Sequence, residues 1–205
     1  MKKDYTHLVL VIDKSGSMAS LQDATIEGVN SLVADQKKLP GTLTTSLYTF
    51  DGVVREVSLF ETLTKMNYCP SGSTALLDAV MQAINKEGER LAAKAEQDRP
   101  DKVVVVIVTD GEENASRTAK IEEVKNLVAM QQDIYKWQFV FLGANIDAFA
   151  TGASLSFSPM STRNFVASAE GLKAAYSCTS SSLGSYRSGA TDAVNLTVDP
   201  TKTNP

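Results

Sequence analysis

The sequence predicts an α/β domain built on an open, mostly parallel sheet, with one antiparallel edge strand and helices on both faces. Three observations carry this. Short, continuously apolar runs, the pattern of strands buried on both faces, alternate with longer segments whose apolar residues recur every three to four positions. One pair of β-rich runs is joined by Asp51-Gly52, a hairpin signal, and supplies the antiparallel strand. The composition is that of a globular domain: of 205 residues, 43% are hydrophobic and 21% charged, enough for a sizeable core.

Residues 7–13 are the first strand, a central one, because Leu8 to Ile12 are apolar without interruption. Leu21, Ala24, Gly28 and Leu32, widened by Ile26, Val29 and Val33, predict a helix over 20–38 that Pro40-Gly41 ends. The runs 42–50 and 53–60 are the two arms of the hairpin. A second long helix is predicted from 75 to about 98, with Leu77, Val80, Ile84, Gly88 and Leu91 on one face and Pro100 beyond it. VVVVIV, 103–108, is the most apolar strand and ends at Thr109-Asp110-Gly111. Residues 118–132 form a helix on Ile121, Val124 and Val128, and 137–143 a further buried strand. The last helix, 168–187, is set by Leu172, Tyr176, Leu183 and Tyr186. One domain therefore spans 1–189. The polar stretch 190–205, with two prolines, is expected to be a loosely attached tail.

Several classes are disfavoured. The net charge of −4, without a basic run, argues against a nucleic-acid or anionic-membrane partner held by bulk charge. No stretch approaches the roughly 20 apolar residues that span a bilayer. The start, MKKDYTHLVL, reads as a strand rather than a signal peptide, which points to the cytoplasm. Cys69 and Cys178 are far apart and form no metal-binding spacing; Cys69 is expected to be a partly buried small residue. His7, the only histidine, lies at the opposite end of the first strand from Asp13 and is read as structural. Asn195-Leu196-Thr197 matches a glycosylation pattern that is inert without secretion.

The chemistry concentrates at three places. In an open α/β sheet, ligands bind outside the carboxyl ends of the parallel strands. Asp13 ends the first strand and Asp110 ends the Val-rich one, so two carboxylates meet at the top of the sheet. They repel each other and call for donors or a shared cation. Ser15 and Ser17 add hydroxyls beside Asp13, and the loop 69–75 brings Ser71, Ser73 and Thr74 ahead of a helix. Carboxylates and hydroxyls without nitrogen or sulfur are ligands for a hard cation. With only two acids, Mg²⁺ suits the set better than Ca²⁺, because it accepts few protein ligands and keeps its waters. Taken singly, Asp13, Ser15, Ser17 and Thr74 could each be a helix cap instead.

Asp13-Lys14-Ser15-Gly16-Ser17 resembles the Asp-x-Ser-x-Ser motif of von Willebrand factor A domains, which have a Rossmann-like fold. GSTAL, 72–76, is similar to that family's threonine loop with Thr74 at the matching position. VTDGEEN, 108–114, is similar to its second aspartate segment, with Asp110 as the match. The resemblance runs over residues 5–150 in motif order and to about 187 in element order. It implies a metal-ion-dependent adhesion site: Mg²⁺ or Mn²⁺ held through Ser15, Ser17 and Thr74, with Asp13 and Asp110 acting partly through water. It further implies an open position for an Asp or Glu carboxylate of a protein partner. Stand-alone domains of this kind occur in bacteria and phages, some beside AAA+ ATPases, so such an ATPase is one partner implied and a phage particle an alternative location.

Two other readings compete. Phosphatases of the haloacid dehalogenase type also place an Asp at the end of a first strand and bind Mg²⁺. Their motif needs a second Asp where Ser15 stands, however, and Asp13 has no neighbouring base. The domain could also be a scaffold whose metal is purely structural. For the binding reading, the rim that sets partner choice is expected from Lys14 and Met18, Tyr68 and Ser71, and a solvated Glu112–Asn114.

Overall fold

A computed structural model describes residues 1–57 and 62–197. Its six-stranded sheet has the order β3-β2-β1-β4-β5-β6. The strands are β1 (Lys2–Asp13), β2 (Thr42–Phe50), β3 (Val54–Val57), β4 (Pro100–Thr109), β5 (Gln138–Gly143) and β6 (Thr162–Asn164). All neighbours are parallel except β2 and β3, which pair antiparallel around the Asp51-Gly52 turn. The expected antiparallel edge strand is therefore present over 54–57; positions 58–60 of that expectation lie outside the described residues.

Helices cover both faces. Leu8, Leu10 and Ile12 of β1, with Val104, Val106 and Val108 of β4, pack under α1 (Gln22–Lys38) and α5 (Ala169–Arg187). The alternate residues Val9, Val11, Val105 and Ile107 pack under α2 (Leu76–Ala92), α3 (Ile121–Asp133) and α4 (Ala148–Ser154). Period-2 alternation in a strand buried on both faces divides the core in this way. Gly28 of α1 has no side chain because a Cβ there would stand 2.2 Å from the Tyr176 ring of α5.

The structure departs from the sequence expectations in four places. β1 begins at Lys2 rather than residue 7, with an irregularity in its pairing to β4 between Lys2 and Thr6. The Asp101 carboxylate bridges it by accepting from the Asp4 and Tyr5 N–H groups. The first helix starts as a 3₁₀ turn, Gly16–Leu21, before α1 proper. The second helix ends at Ala92, and Glu96–Asp98 form a separate 3₁₀ turn. α4 and β6 were not expected; β6 is three residues long and carries no periodicity, although Asp147, which caps α4 by accepting from Phe149 and Ala150 N–H, is a readable start signal.

The tail is not loose where it is described. Val194 and Leu196 are buried, the Leu196 N–H donates to Met160 O at 2.7 Å, and Ser182 Oγ donates to Asn195 O at 2.6 Å. Among the described residues no helix is long and apolar enough to cross a membrane.

Candidate metal centre

β1 pairs with β2 on one side and with β4 on the other, so the crossovers leave it in opposite directions. Such a reversal opens a crevice at the carboxyl ends of the two central strands. Asp13 is the last residue of β1, Thr109 is the last of β4, and Asp110 follows it. Asp13 is fully buried. Its Oδ1 accepts from the Ser15 N–H at 2.7 Å and its Oδ2 from Thr109 Oγ1 at 2.6 Å. Burial pushes its pKa up to about 6; the hydrogen bonds from Thr109 and Ser15 oppose that, and Asp110 adds to it. Thr109 is a participant that motif reasoning passed over, although a hydroxyl at the last position of a buried strand was visible.

Ser17 Oγ donates to Asp110 Oδ1 at 2.5 Å and lies 3.1 Å from Ser15 Oγ. Burial also raises the Asp110 pKa, with the Ser17 hydrogen bond working against it. The two carboxylates are thus linked through Ser15, whose N–H donates to Asp13 and whose hydroxyl meets that of Ser17. Neither serine caps the following turn: Ser15 flanks it without a side-chain cap bond.

The Thr74 loop is stitched to this strand end. The Ser71 N–H donates to Lys14 O at 2.8 Å and the Gly16 N–H to Gly72 O at 3.1 Å. Gly72 sits at φ +76°, where a side chain is strained. Thr74 is held on both sides of its backbone: its N–H donates to Asn114 Oδ1 at 2.9 Å, and its carbonyl accepts from Asn114 and Ala115 N–H. Thr74 is only 3% exposed as a residue, and its Oγ1 is not engaged by any of the bonds that hold its backbone. A Cβ at Gly111 would stand 3.3 Å from that oxygen and 3.5 Å from Ser17 Oγ. The missing side chain at 111 therefore leaves a gap bordered by both hydroxyls.

Thr74 is not the cap of α2. Ala75 flanks that helix and offers no side chain; the caps come from the loop after β4. Glu113 Oε2 accepts from the Leu77 N–H at 2.9 Å, and Ser116 Oγ from the Asp78 N–H at 3.0 Å. Asp78 in turn accepts from the Arg117, Thr118 and Ala119 N–H groups. The expected solvated Glu112–Asn114 rim holds for exposed Glu112 and Asn114, but Glu113 is half-buried. Glu113 and Asn114 also serve as struts, Glu113 because a helix N-terminus without its own cap needs an acceptor from elsewhere and Asn114 through its bond to the Thr74 N–H.

The remaining rim expectations also change. Met18 and Tyr68 are buried, and Tyr68 Oη donates to Asp13 O at 2.6 Å, bracing the strand end from below. Lys14 turns aside to Asp51, Nζ to Oδ2 3.2 Å. Asp51, a third acid at the top of the sheet that the sequence reading did not single out, is also bonded to Arg55 and the Val53 N–H. Burial works to raise its pKa, but these bonds outweigh it and hold Asp51 below the ordinary carboxylate value. Cys69, expected to be partly buried, is exposed. His7 is buried on β1, 3.0 Å from Glu87, six strand residues from Asp13.

The five residues fit a hard divalent cation by their chemistry. Two buried carboxylates with raised pKa values have no basic side chain between them, since Lys14 is taken by Asp51. Three hydroxyl oxygens stand beside them, those of Ser15, Ser17 and Thr74. Among the described residues no group of three or more His, Cys, Asp or Glu converges, so the donor set is rich in hydroxyls and poor in charge.

No model of a known protein family and no curated protein sequence matches the chain. Solved structures do. The vWF domain of the type V pili tip protein Mfa5 from Porphyromonas gingivalis aligns with TM-score 0.61 at 10% identity, over 87% of this chain and 94% of that one. The manganese-loaded TRAP protein of Plasmodium vivax aligns with TM-score 0.57 at 16% identity, over 85% and 72%. The ArnB paralog VWA2 from Sulfolobus acidocaldarius aligns with TM-score 0.53 at 14% identity, over 86% and 44%. The chain therefore has the fold of a von Willebrand factor A domain. At these identities the likeness is one of architecture.

Proposed function

We propose that this domain binds a protein partner through a divalent cation, Mg²⁺ or Mn²⁺, and that the partner contributes an Asp or Glu carboxylate. The observation that carries the reading is the meeting of Asp13, Ser15, Ser17, Thr74 and Asp110 at one crevice, with the Thr74 and Ser17 hydroxyls both bordering the gap at Gly111. Ser15, Ser17 and Thr74 would hold the ion through their hydroxyls, and Asp13 and Asp110 would balance its charge. When bound, the ion supplies a Lewis acid that attracts a further carboxylate, since hydroxyl ligands do not neutralise it. A manganese-loaded relative in fold supports a divalent ion here.

The rest of the site orients. Thr109 and the Ser15 N–H fix the Asp13 carboxylate, and Ser17 fixes Asp110. Of the rim, Ser17, Ser71, Ser73, Glu112 and Asn114 are exposed and are what a partner would meet. A hydrolytic role has less behind it: the only histidine is bonded to Glu87, about 20 Å along β1 from Asp13.

The test is calorimetric titration of the chelated protein with Mn²⁺ and Mg²⁺, followed by capture of partners with and without EDTA. Binding to the wild type, lost in Asp13→Ala and weakened in Thr74→Ala, is expected. Absence of any binding to the wild type, or partners that survive both EDTA and Asp110→Ala, would overturn the reading.

A further inference from the structure

We infer that Asn114 is a positioning residue for the metal centre, setting cation affinity by holding Thr74 rather than by touching the ion. The inference rests on the metal-site reading above. Asn114 makes a reciprocal contact with Thr74: its Oδ1 accepts the Thr74 N–H at 2.9 Å and its own N–H donates to Thr74 O at 3.0 Å. These two bonds clamp the Thr74 backbone on both sides of its Cα. The side chain of a β-branched residue has few rotamers once its backbone is fixed, so the clamp also aims Oγ1.

The clamp joins the two halves of the site. Asn114 lies four residues beyond Asp110, in the loop that leaves β4, whereas Thr74 precedes α2. Nothing within the Thr74 loop itself ties it to Asp110. Ties between the two loops run through Asn114 and the Ala115 N–H to Thr74, through Glu113 to Leu77 and through Ser116 to Asp78. The last two cap α2 and hold the helix; only the first reaches a residue of the donor set. Loss of the Asn114 side chain therefore takes the acceptor from the Thr74 N–H, leaving Thr74 held only through its carbonyl by the Asn114 and Ala115 N–H groups. Meanwhile α2 keeps both caps, which separates an effect on the site from an effect on the fold. Residues that orient metal ligands without binding metal commonly control affinity by about 10–100-fold.

The experiment compares wild type, Thr74→Ala, Asn114→Ala and Asn114→Asp. Mn²⁺ affinity is measured by titration, and hydrogen exchange of the Thr74 amide is measured in the chelated protein. Asn114→Ala is expected to weaken Mn²⁺ binding about tenfold or more and to speed Thr74 amide exchange, with the Leu77 and Asp78 amides still protected. Asn114→Asp keeps an acceptor for the Thr74 N–H and is expected to restore slow exchange and wild-type or tighter binding.

The inference is overturned if Asn114→Ala binds Mn²⁺ as the wild type does while Thr74→Ala does not. It is equally overturned if Asn114→Ala and Asn114→Asp lose affinity alike, together with protection across the α2 start. A wild type that binds no Mn²⁺ brings down the metal-site reading and this inference with it, and is told apart from the other outcomes by that one arm.

Discussion

Ser17 and Asp110, 93 positions apart in the chain, are joined by a hydrogen bond of 2.5 Å across the gap between the end of β1 and the end of β4. The bond exists because β1 and β4 are adjacent parallel strands in register, Ile12 beside Val108, and so end at the same level. It gives Asp110 a donor in the metal-free protein, while Asp13, deeper in the sheet, depends on Thr109 and the Ser15 N–H.

That dependence has a cost that pH exposes. With its pKa at about 6 against an ordinary 3.8, Asp13 keeps a proton in the native state that the unfolded chain has already released. Between those two values the stability of the chelated protein should therefore fall as pH rises, and Asp110 shifts in the same sense. Asp13→Asn removes the buried charge. In EDTA at neutral pH it is expected to gain on the order of 1 kcal/mol in urea unfolding, while its Mn²⁺-dependent gain disappears. A variant less stable than wild type in EDTA would show that the carboxylate is not held against its burial.

The opposite sign is expected at the far end of the sheet. Burial acts to raise the pKa of Glu87, but hydrogen bonds from His7 and Tyr48 outweigh it and hold the carboxyl at about 2. Its contribution to stability is present above the ordinary value of 4.5 and is lost as pH falls from there towards 2. Glu87→Gln should cost about 1–3 kcal/mol at neutral pH by weakening the buried hydrogen bonds that Glu87 accepts from His7 and Tyr48. It should also flatten the acid limb of the stability curve and leave Mn²⁺ affinity unchanged. Urea unfolding from pH 2 to 7, with a metal titration alongside, checks all three.

Gly111→Ala should separate site from fold. The backbone at 111 is not in the left-handed region, so the methyl group is tolerated, but it enters the gap between Thr74 Oγ1 and Ser17 Oγ. Mn²⁺ affinity is expected to fall about tenfold or more, with stability in EDTA within about 1 kcal/mol of wild type. Unchanged affinity would place the ion elsewhere than between those hydroxyls.

Tyr176 carries a buried hydroxyl with no hydrogen-bond partner among the described residues, and burial raises its pKa. Tyr176→Phe keeps the ring that fills the space opposite Gly28 and removes the unpaired group. It should be neutral or stabilising by up to about 1 kcal/mol in urea unfolding. A clear loss would reveal a partner for that hydroxyl.

Much of the architecture was legible in the sequence because strand and helix periods are local properties. The runs at 8–12, 103–108 and 137–143 could be buried only as central strands, and Asp51-Gly52 could turn the chain only as a hairpin. Asp13, Ser15 and Ser17 lie within five residues, and the placement of Asp110 followed from strand ends being where parallel sheets bind. β6 was not legible, since three residues show no period, and neither was the packing of Val194 and Leu196, whose partners Met160 and Ser182 come from elsewhere in the chain.

What only the tertiary structure decided is how the parts of the site hold one another. Glu113 and Asn114 read as exposed polar residues after a strand, and Met18 and Tyr68 as rim. The fold uses Asn114, still exposed, to hold Thr74 and Glu113 to cap α2, and turns Met18 and Tyr68 into the underlying core. It also gives Lys14 to Asp51 and Thr109 to Asp13. A residue type states which bonds a side chain can make. Which it does make depends on the unpaired groups brought beside it, and at this site those come from distant parts of the chain, with partners 36 to 96 positions away.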